Sequence, residues 1–121
     1  MSKILIVDDS PSYQTTMKQS LEKNGYDTLV ATNGEDALAA AKNDKPDLIL
    51  MDVVMPGMSG FQATRKLNQD PDTASIPVII VSSKDQETDK IWGQRQGAIA
   101  YLVKPVEEQE LIATVKSVLT A

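Results

Sequence analysis

Four places in this chain offer groups fit for chemistry, and each directly follows a short apolar run. They are Asp8-Asp9 after "ILIV", Asp52 after "LILM", Ser82-Ser83 after "VIIV" (with Ser82 the first of the pair), and Lys104-Pro105 after "AYLV". The 121 residues include no cysteine and no histidine. Disulfides, thiolate metal sites, imidazole ligands and imidazole acid–base catalysis are thereby excluded. Carboxylates, hydroxyls, lysine and backbone remain. Three carboxylates drawn together repel, and their pKa values rise unless a cation intervenes. Hard carboxylate oxygens suit Mg2+, which keeps several waters and takes one or two carboxylates plus a phosphate. A lysine ammonium and a serine hydroxyl are both fit to hold phosphoryl oxygens. A carboxylate among them can attack phosphorus and form an aspartyl phosphate. These residue types point to a Mg2+-dependent phosphoryl site, without saying which aspartate is the nucleophile.

Such a site needs elements that bring the four places together. Five apolar runs rich in Ile and Val punctuate the chain: Ile4–Val7, Thr28–Ala31, Leu48–Met51, Val78–Val81 and Ile99–Val103. Most are continuous rather than alternating, as in parallel strands buried on both faces. Between them lie segments of helical spacing. Tyr13, Met17 and Leu21 recur every fourth residue, and Leu111, Ile112, Val115, Val118 and Leu119 form one stripe. Ser10-Pro11 reads as an N-cap and first helical residue, Asn33 as the cap of a helix carrying Ala37, Leu38 and Ala41, and Ser59 with Gln62 as a capping box. Asn24-Gly25, Pro46 and Gly97 read as stops. The order is β-α five times over, which implies a parallel sheet with helices on both faces. In such open sheets ligands bind beyond the carboxyl ends of the strands, where four of the five runs deliver polar groups. The weakest helix is the fourth, roughly Gln86 to Gln96. Ile91 and Trp92 are its only large apolar residues, and Gly93 in its middle costs about 1 kcal/mol against Ala.

The length is that of about one domain, with 41% hydrophobic and 24% charged residues. A net charge of −5 with scattered Lys and Arg argues against nucleic-acid binding. The opening "MSKILIVDD" has too short an apolar run for a signal peptide or a membrane span, so a cytoplasmic location is expected. Taken singly, each polar group has a plainer reading. Asp8-Asp9 would cap a helix or lie in a solvated loop, Asp52 would form a turn, Ser82-Ser83 would end a strand and cap the next helix, and Lys104 would lie on the surface. Their shared register at strand ends favours the site, except that Ser83 keeps its plain reading. Trp92 reads equally as a partner surface or as a residue packed on strand four or five. Met51, Met55 and Met58 read as core and loop packing.

In order and spacing, "ILIVDDS", "LILMDVVMPGMSGF", "IPVIIVSS" and "AYLVKP" resemble the receiver domain of two-component response regulators (CheY-like). The resemblance covers the whole chain, 1–121, as one domain with no output domain following. The stretch from Phe61 to Ala98 is more particularly similar to the twitching-motility receivers. The resemblance implies a flavodoxin-like doubly wound (βα)5 fold with strand order 2-1-3-4-5. It makes Asp52 the phosphoacceptor, Asp9 the direct Mg2+ ligand, Asp8 a ligand largely through water, and the Val54 backbone carbonyl a third protein ligand. Ser82 and Lys104 match the residues that engage the phosphoryl group, and Tyr101 matches the switch aromatic that turns inward when Ser82 is drawn to it. Lys104-Pro105 becomes a cis-peptide candidate.

The implied function is phosphoryl acceptance from a histidine kinase of the chemosensory type, with autodephosphorylation but no dedicated enzyme activity. Output would be a contact with a downstream protein, such as the type IV pilus machinery, or service as a phosphate sink, with neither nucleic acid nor membrane as partner. A chemotaxis-type receiver of another pathway is the alternative. The chain departs from the common pattern at Ser83, at Val54 and Lys84, which tune phosphoryl lifetime, at Val106 in place of a frequent Phe, and at Gly93-Gln94. The last departure predicts a looser or shorter fourth helix. A Mg2+-dependent phosphatase would need a carboxylate where Val54 stands. A flavin-binding relative would need a hydroxyl-rich loop where the acidic "DDSPS" stands, and a degenerate receiver would not carry the complete residue set.

Overall fold

A computed structural model of the chain describes residues 2–120. The elements run β1 (Lys3–Val7), α1 (Pro11–Lys23), β2 (Asp27–Ala31), α2 (Gly34–Asp44), β3 (Leu48–Met51), α3 (Gly60–Gln69), β4 (Val78–Ser82), α4 (Glu87–Arg95), β5 (Ala100–Val103) and α5 (Glu108–Leu119). The five strands are parallel in the order β2-β1-β3-β4-β5, the doubly wound flavodoxin-like arrangement implied by the resemblance.

Successive strand residues feed opposite faces, because the side-chain period of a strand is two. Ile4 and Ile6 of β1 pack with Met17 and Leu21 of α1 and with Leu111, Ile112 and Val115 of α5. Leu5 and Val7 pack with Ala37 and Ala41 of α2 and with Ala63 and Leu67 of α3. The three inner strands are the buried ones. Edge strand β2 is half covered and leaves Val30 exposed, so burial on both faces does not extend to it. The fifth strand begins at Ala100 rather than Ile99, whose side chain faces outward.

The helix starts follow their caps. The Ser10 hydroxyl accepts from the Tyr13 N–H at 3.5 Å, ahead of Pro11 at the first helical position. Asn33 accepts from the Asp36 N–H at 2.8 Å. Ser59 and Gln62 exchange bonds of 3.2 and 3.0 Å as a reciprocal box.

The fourth helix is short, as its sequence reading allows, but it is not loose. At nine residues it is the shortest described helix, yet it is regular, with the Asp89 carboxylate accepting from the Gln86 N–H at 3.2 Å. Gly93 does not loosen it. A Cβ there would stand 2.8 Å from Ile80 Cδ1 and 3.2 Å from Tyr101 Cδ2, so the glycine lets the helix backbone lie directly on the sheet. Ile91 and Trp92 point outward instead.

Gly60 is the tighter constraint. Its N–H donates to the Val53 carbonyl at 2.9 Å, and a Cβ would fall 1.9 Å from the Asp52 carbonyl oxygen. That neighbour is backbone and cannot swing aside. The expected cost of Gly60→Ala is therefore at the upper end of overpacking, about 3 kcal/mol, read as a lower urea midpoint. An unchanged midpoint would show that the loop after β3 relaxes freely.

Candidate functional site

Parallel pairing sets the site. Val7 of β1 stands level with Met51 of β3, so the next residues, Asp8 and Asp52, leave adjacent strand ends together. The Asp52 N–H donates to the Val7 carbonyl at 2.9 Å, and the Asp8 N–H donates to the Ala31 carbonyl at 3.1 Å. On the other side Ser82 is level with Val103, and the Lys104 N–H donates to the Ser82 carbonyl at 2.8 Å. Four residues distant in sequence thus meet at one sheet edge.

Carboxylate oxygens of Asp8, Asp9 and Asp52 lie within 4.8 Å of one another. Asp9 is exposed, whereas the Asp8 side chain is fully buried and that of Asp52 is 8% exposed. Each buried carboxylate has one oxygen fixed by backbone. Asp8 Oδ1 accepts from the Ser10 N–H at 2.9 Å, and Asp52 Oδ1 from the Val53 N–H at 2.8 Å. The second oxygens face Lys104, whose Nζ donates to Asp8 Oδ2 at 2.7 Å and lies 3.5 Å from Asp52 Oδ2. Among the described residues no buried side-chain polar atom lacks a partner.

Burial pushes the Asp52 carboxyl above the usual carboxylate range, and Asp8 adds to the push while Lys104 opposes it. A trio of hard oxygens held this closely, with one ammonium against it, fits a divalent cation with oxygen ligands. The remaining residues fall around this cluster. The Ser82 side chain is buried, and its Oγ accepts from the Lys84 N–H at 3.2 Å. The Tyr101 ring is half buried against Ile80, its hydroxyl donating to the Lys84 carbonyl at 2.7 Å and pushed up in pKa chiefly by burial. The Val54 side chain is 57% exposed, and the Lys104-Pro105 bond is cis.

Sequence reasoning missed three contributors. The Lys104 ammonium sits 4.0 Å from the Tyr13 ring centroid, a cation–π contact that limits where the lysine can go. Gln14 Nε2 donates to the Asp8 carbonyl, and Gly60 presses on Asp52 from the other side. Tyr13 was legible only as the first residue of a helical stripe. Which polar group an amphipathic aromatic would meet depends on tertiary contact.

A carboxyl edge built this way, on a five-stranded doubly wound sheet, defines a signalling receiver, and the family model of the response regulator receiver domain matches residues 4–116. The chain belongs to that family, whose members accept phosphoryl groups from histidine kinases and bind Mg2+ in an acidic site. It is 57% identical to the protein PilH of Pseudomonas aeruginosa over 98% of both chains. Other curated relatives near 40% identity are longer, and the chain spans 48% of one and 26% of another. Among solved structures, chemotaxis protein CheY4 of Vibrio cholerae is 33% identical, with TM-score 0.93 over 98% of this chain and 99% of that one. The receiver domain of a Pseudomonas aeruginosa sensor histidine kinase is 28% identical, with TM-score 0.92 over 99% and 98%, and its structure holds a magnesium ion in the active-site cleft. No described helix is long and apolar enough to cross a membrane.

The raised Asp52 pKa has a signed consequence for the metal-free protein. A carboxyl whose folded pKa exceeds its unfolded value destabilises the fold when ionised, and the penalty disappears as pH falls through the folded pKa. Asp52→Asn is therefore expected to raise Tm at pH 7 in EDTA, with the gain shrinking on acidification. A Tm lowered by the substitution at pH 7 would mean that the pairing with Lys104 outweighs burial.

Proposed function

We propose that this receiver takes a phosphoryl group onto Asp52 and works by protein–protein contact in type IV pilus twitching motility. The observation that carries the first part is the ammonium of Lys104 between the buried carboxylates of Asp8 and Asp52, with Asp9 alongside. The relationship to PilH over nearly the full length of both chains supports the second.

In this reading Asp8, Asp9, Asp52 and the Val54 carbonyl would hold Mg2+. When bound, the ion neutralises charge gathering on the phosphoryl oxygens. The free Asp52 oxygen attacks phosphorus in line. An O–P bond forms, the P–N bond to the kinase histidine breaks, and its electron pair returns to the imidazole. Asp52 Oδ1 stays fixed by the Val53 N–H, which orients the attacking oxygen. Lys104 moves its hydrogen bond from the carboxylates to a phosphoryl oxygen, guided by the Tyr13 face. The Ser82 hydroxyl, free to donate while it accepts from Lys84, turns to another. Drawing Ser82 inward alters the Lys84 turn that the Tyr101 hydroxyl holds, so Tyr101 and α4 register the change. Water entering the same site hydrolyses the acyl phosphate, which makes the signal self-limiting.

Incubation with Mg2+ and acetyl phosphate is expected to give a single phosphate adduct by intact mass, absent in Asp52→Asn and in excess EDTA. Lys104→Met should lower the adduct yield at a fixed time about tenfold or more. No adduct under any condition would refute the phosphoacceptor reading.

For the pathway, a chromosomal Asp52→Asn in the native host is expected to alter surface twitching as deletion does. Normal twitching in the deletion strain would reject the pilus role and leave the phosphoacceptor reading standing.

A further inference from the structure

The chain has one tryptophan, one phenylalanine and two arginines, and all four lie on two neighbouring helices. Phe61 and Arg65 are one turn apart on α3, and Trp92 and Arg95 are one turn apart on α4. Between the helices runs a groove of about 420 Å³ lined by Ser59, Phe61, Gln62, Arg65, Trp92 and Gln96. Trp92 is 48% exposed there. Packing does not account for its position, because α4 is seated on the sheet through Gly93.

The charge around this groove runs against that of the chain. The net charge is −5, yet no carboxylate lines the groove and α3 contains neither Asp nor Glu. Neither arginine forms an ion pair with any described residue. The two acids of α4 lie in its first turn and have partners of their own: Asp89 accepts from the Gln86 N–H, and Glu87 stands 3.8 Å from Lys90. What remains is an indole and a phenyl ring with the uncommitted guanidinium of Arg65 in the lining, and that of Arg95 on α4 one turn beyond Trp92. Trp and Arg dominate binding hot spots, and a guanidinium matches a carboxylate in two parallel bonds.

We propose that the α3–α4 groove docks an acidic segment of a partner protein. One apolar side chain of that segment seats against Trp92 and Phe61, and its carboxylates pair with Arg65 and Arg95. The cleft lined by Lys90, Gln94 and Tyr101 lies on the opposite flank of α4 and is a different surface. Docking in the groove does not depend on the phosphoacceptor role of Asp52.

Because Trp92 is the sole tryptophan, its fluorescence reports occupancy directly. The probes are three peptides of equal length with a central Leu flanked by Glu, Gln or Lys. The Glu peptide is expected to shift Trp92 emission saturably and to bind about tenfold tighter than the Gln peptide, with the advantage shrinking in high salt. The Lys peptide is expected to leave the emission unchanged. Arg65→Glu combined with Arg95→Glu should reverse the order while circular dichroism stays unchanged.

Equal binding of the Glu and Gln peptides would overturn the proposal, as would no response at millimolar peptide. Binding retained after charge reversal, or abolished by Lys90→Glu instead, would also overturn it. So would a dimer in sedimentation that Arg65→Glu dissociates, since that would make a second copy the occupant.

Discussion

The ammonium of Lys104 stands among carboxylates that the fold has withdrawn from water, and little else in the structure is free to vary once that is fixed. Breaking a buried ion pair by removing one partner typically costs about 3–5 kcal/mol, because an uncompensated charge stays behind. Lys104 must therefore reach Asp8, its partner at 2.7 Å, across the intervening strands β4 and β3. Adjacent β1 and β3 deliver the carboxylates, while β4 and β5 deliver Ser82 and Lys104. In the order β2-β1-β3-β4-β5 the lysine side chain alone spans the distance, and it meets Asp52 as well as Asp8. Backbone N–H groups of Ser10 and Val53 hold the far oxygens, so neither carboxylate is free to rotate away from the lysine.

Most of this was legible in the sequence, because the signals are local. Leu48–Met51 is a strand with the bounds its apolar run predicts, since a short run buried on both faces fits an inner parallel strand. The caps at Ser10, Asn33 and Ser59 were equally readable, because each bonds to a backbone N–H three residues on. The polar groups at strand ends could be read as one site because strands in parallel register end together. The finer assignment came from family resemblance, since three carboxylates with a hydroxyl and a lysine are chemically consistent with more than one nucleophile.

The illegible parts involve contact across the fold. Edge strand β2 has the composition of an inner strand, and only its place in the sheet leaves Val30 exposed. Tyr13 belongs to an apolar stripe by spacing, yet its ring faces an ammonium from the last strand. Gly93 shows the reverse error. Helix propensity counts a mid-helix glycine as a weakness, and here the missing Cβ lets α4 approach Ile80 and Tyr101 more closely than any other residue would. Propensity measures an isolated helix, whereas this one is held by backbone proximity.

That manner of attachment makes α4 unlike its neighbours. Helix α1 anchors through Met17 and Leu21, α3 through Ala63 and Leu67, and α5 through Leu111, Ile112 and Val115. Within its span α4 buries only Gly93. Hydrophobic stabilisation scales with apolar area removed from water, so shifting α4 forfeits less of it than shifting any of those three. The same helix contacts Tyr101, which bonds the turn that follows Ser82. Ser82 is thus connected to α4 through the Lys84 turn and one ring, while the carboxylates themselves follow largely buried strands. Precision at the site and compliance beside it come from one division of labour. Large aliphatic side chains fix the strands, and a glycine seats the helix.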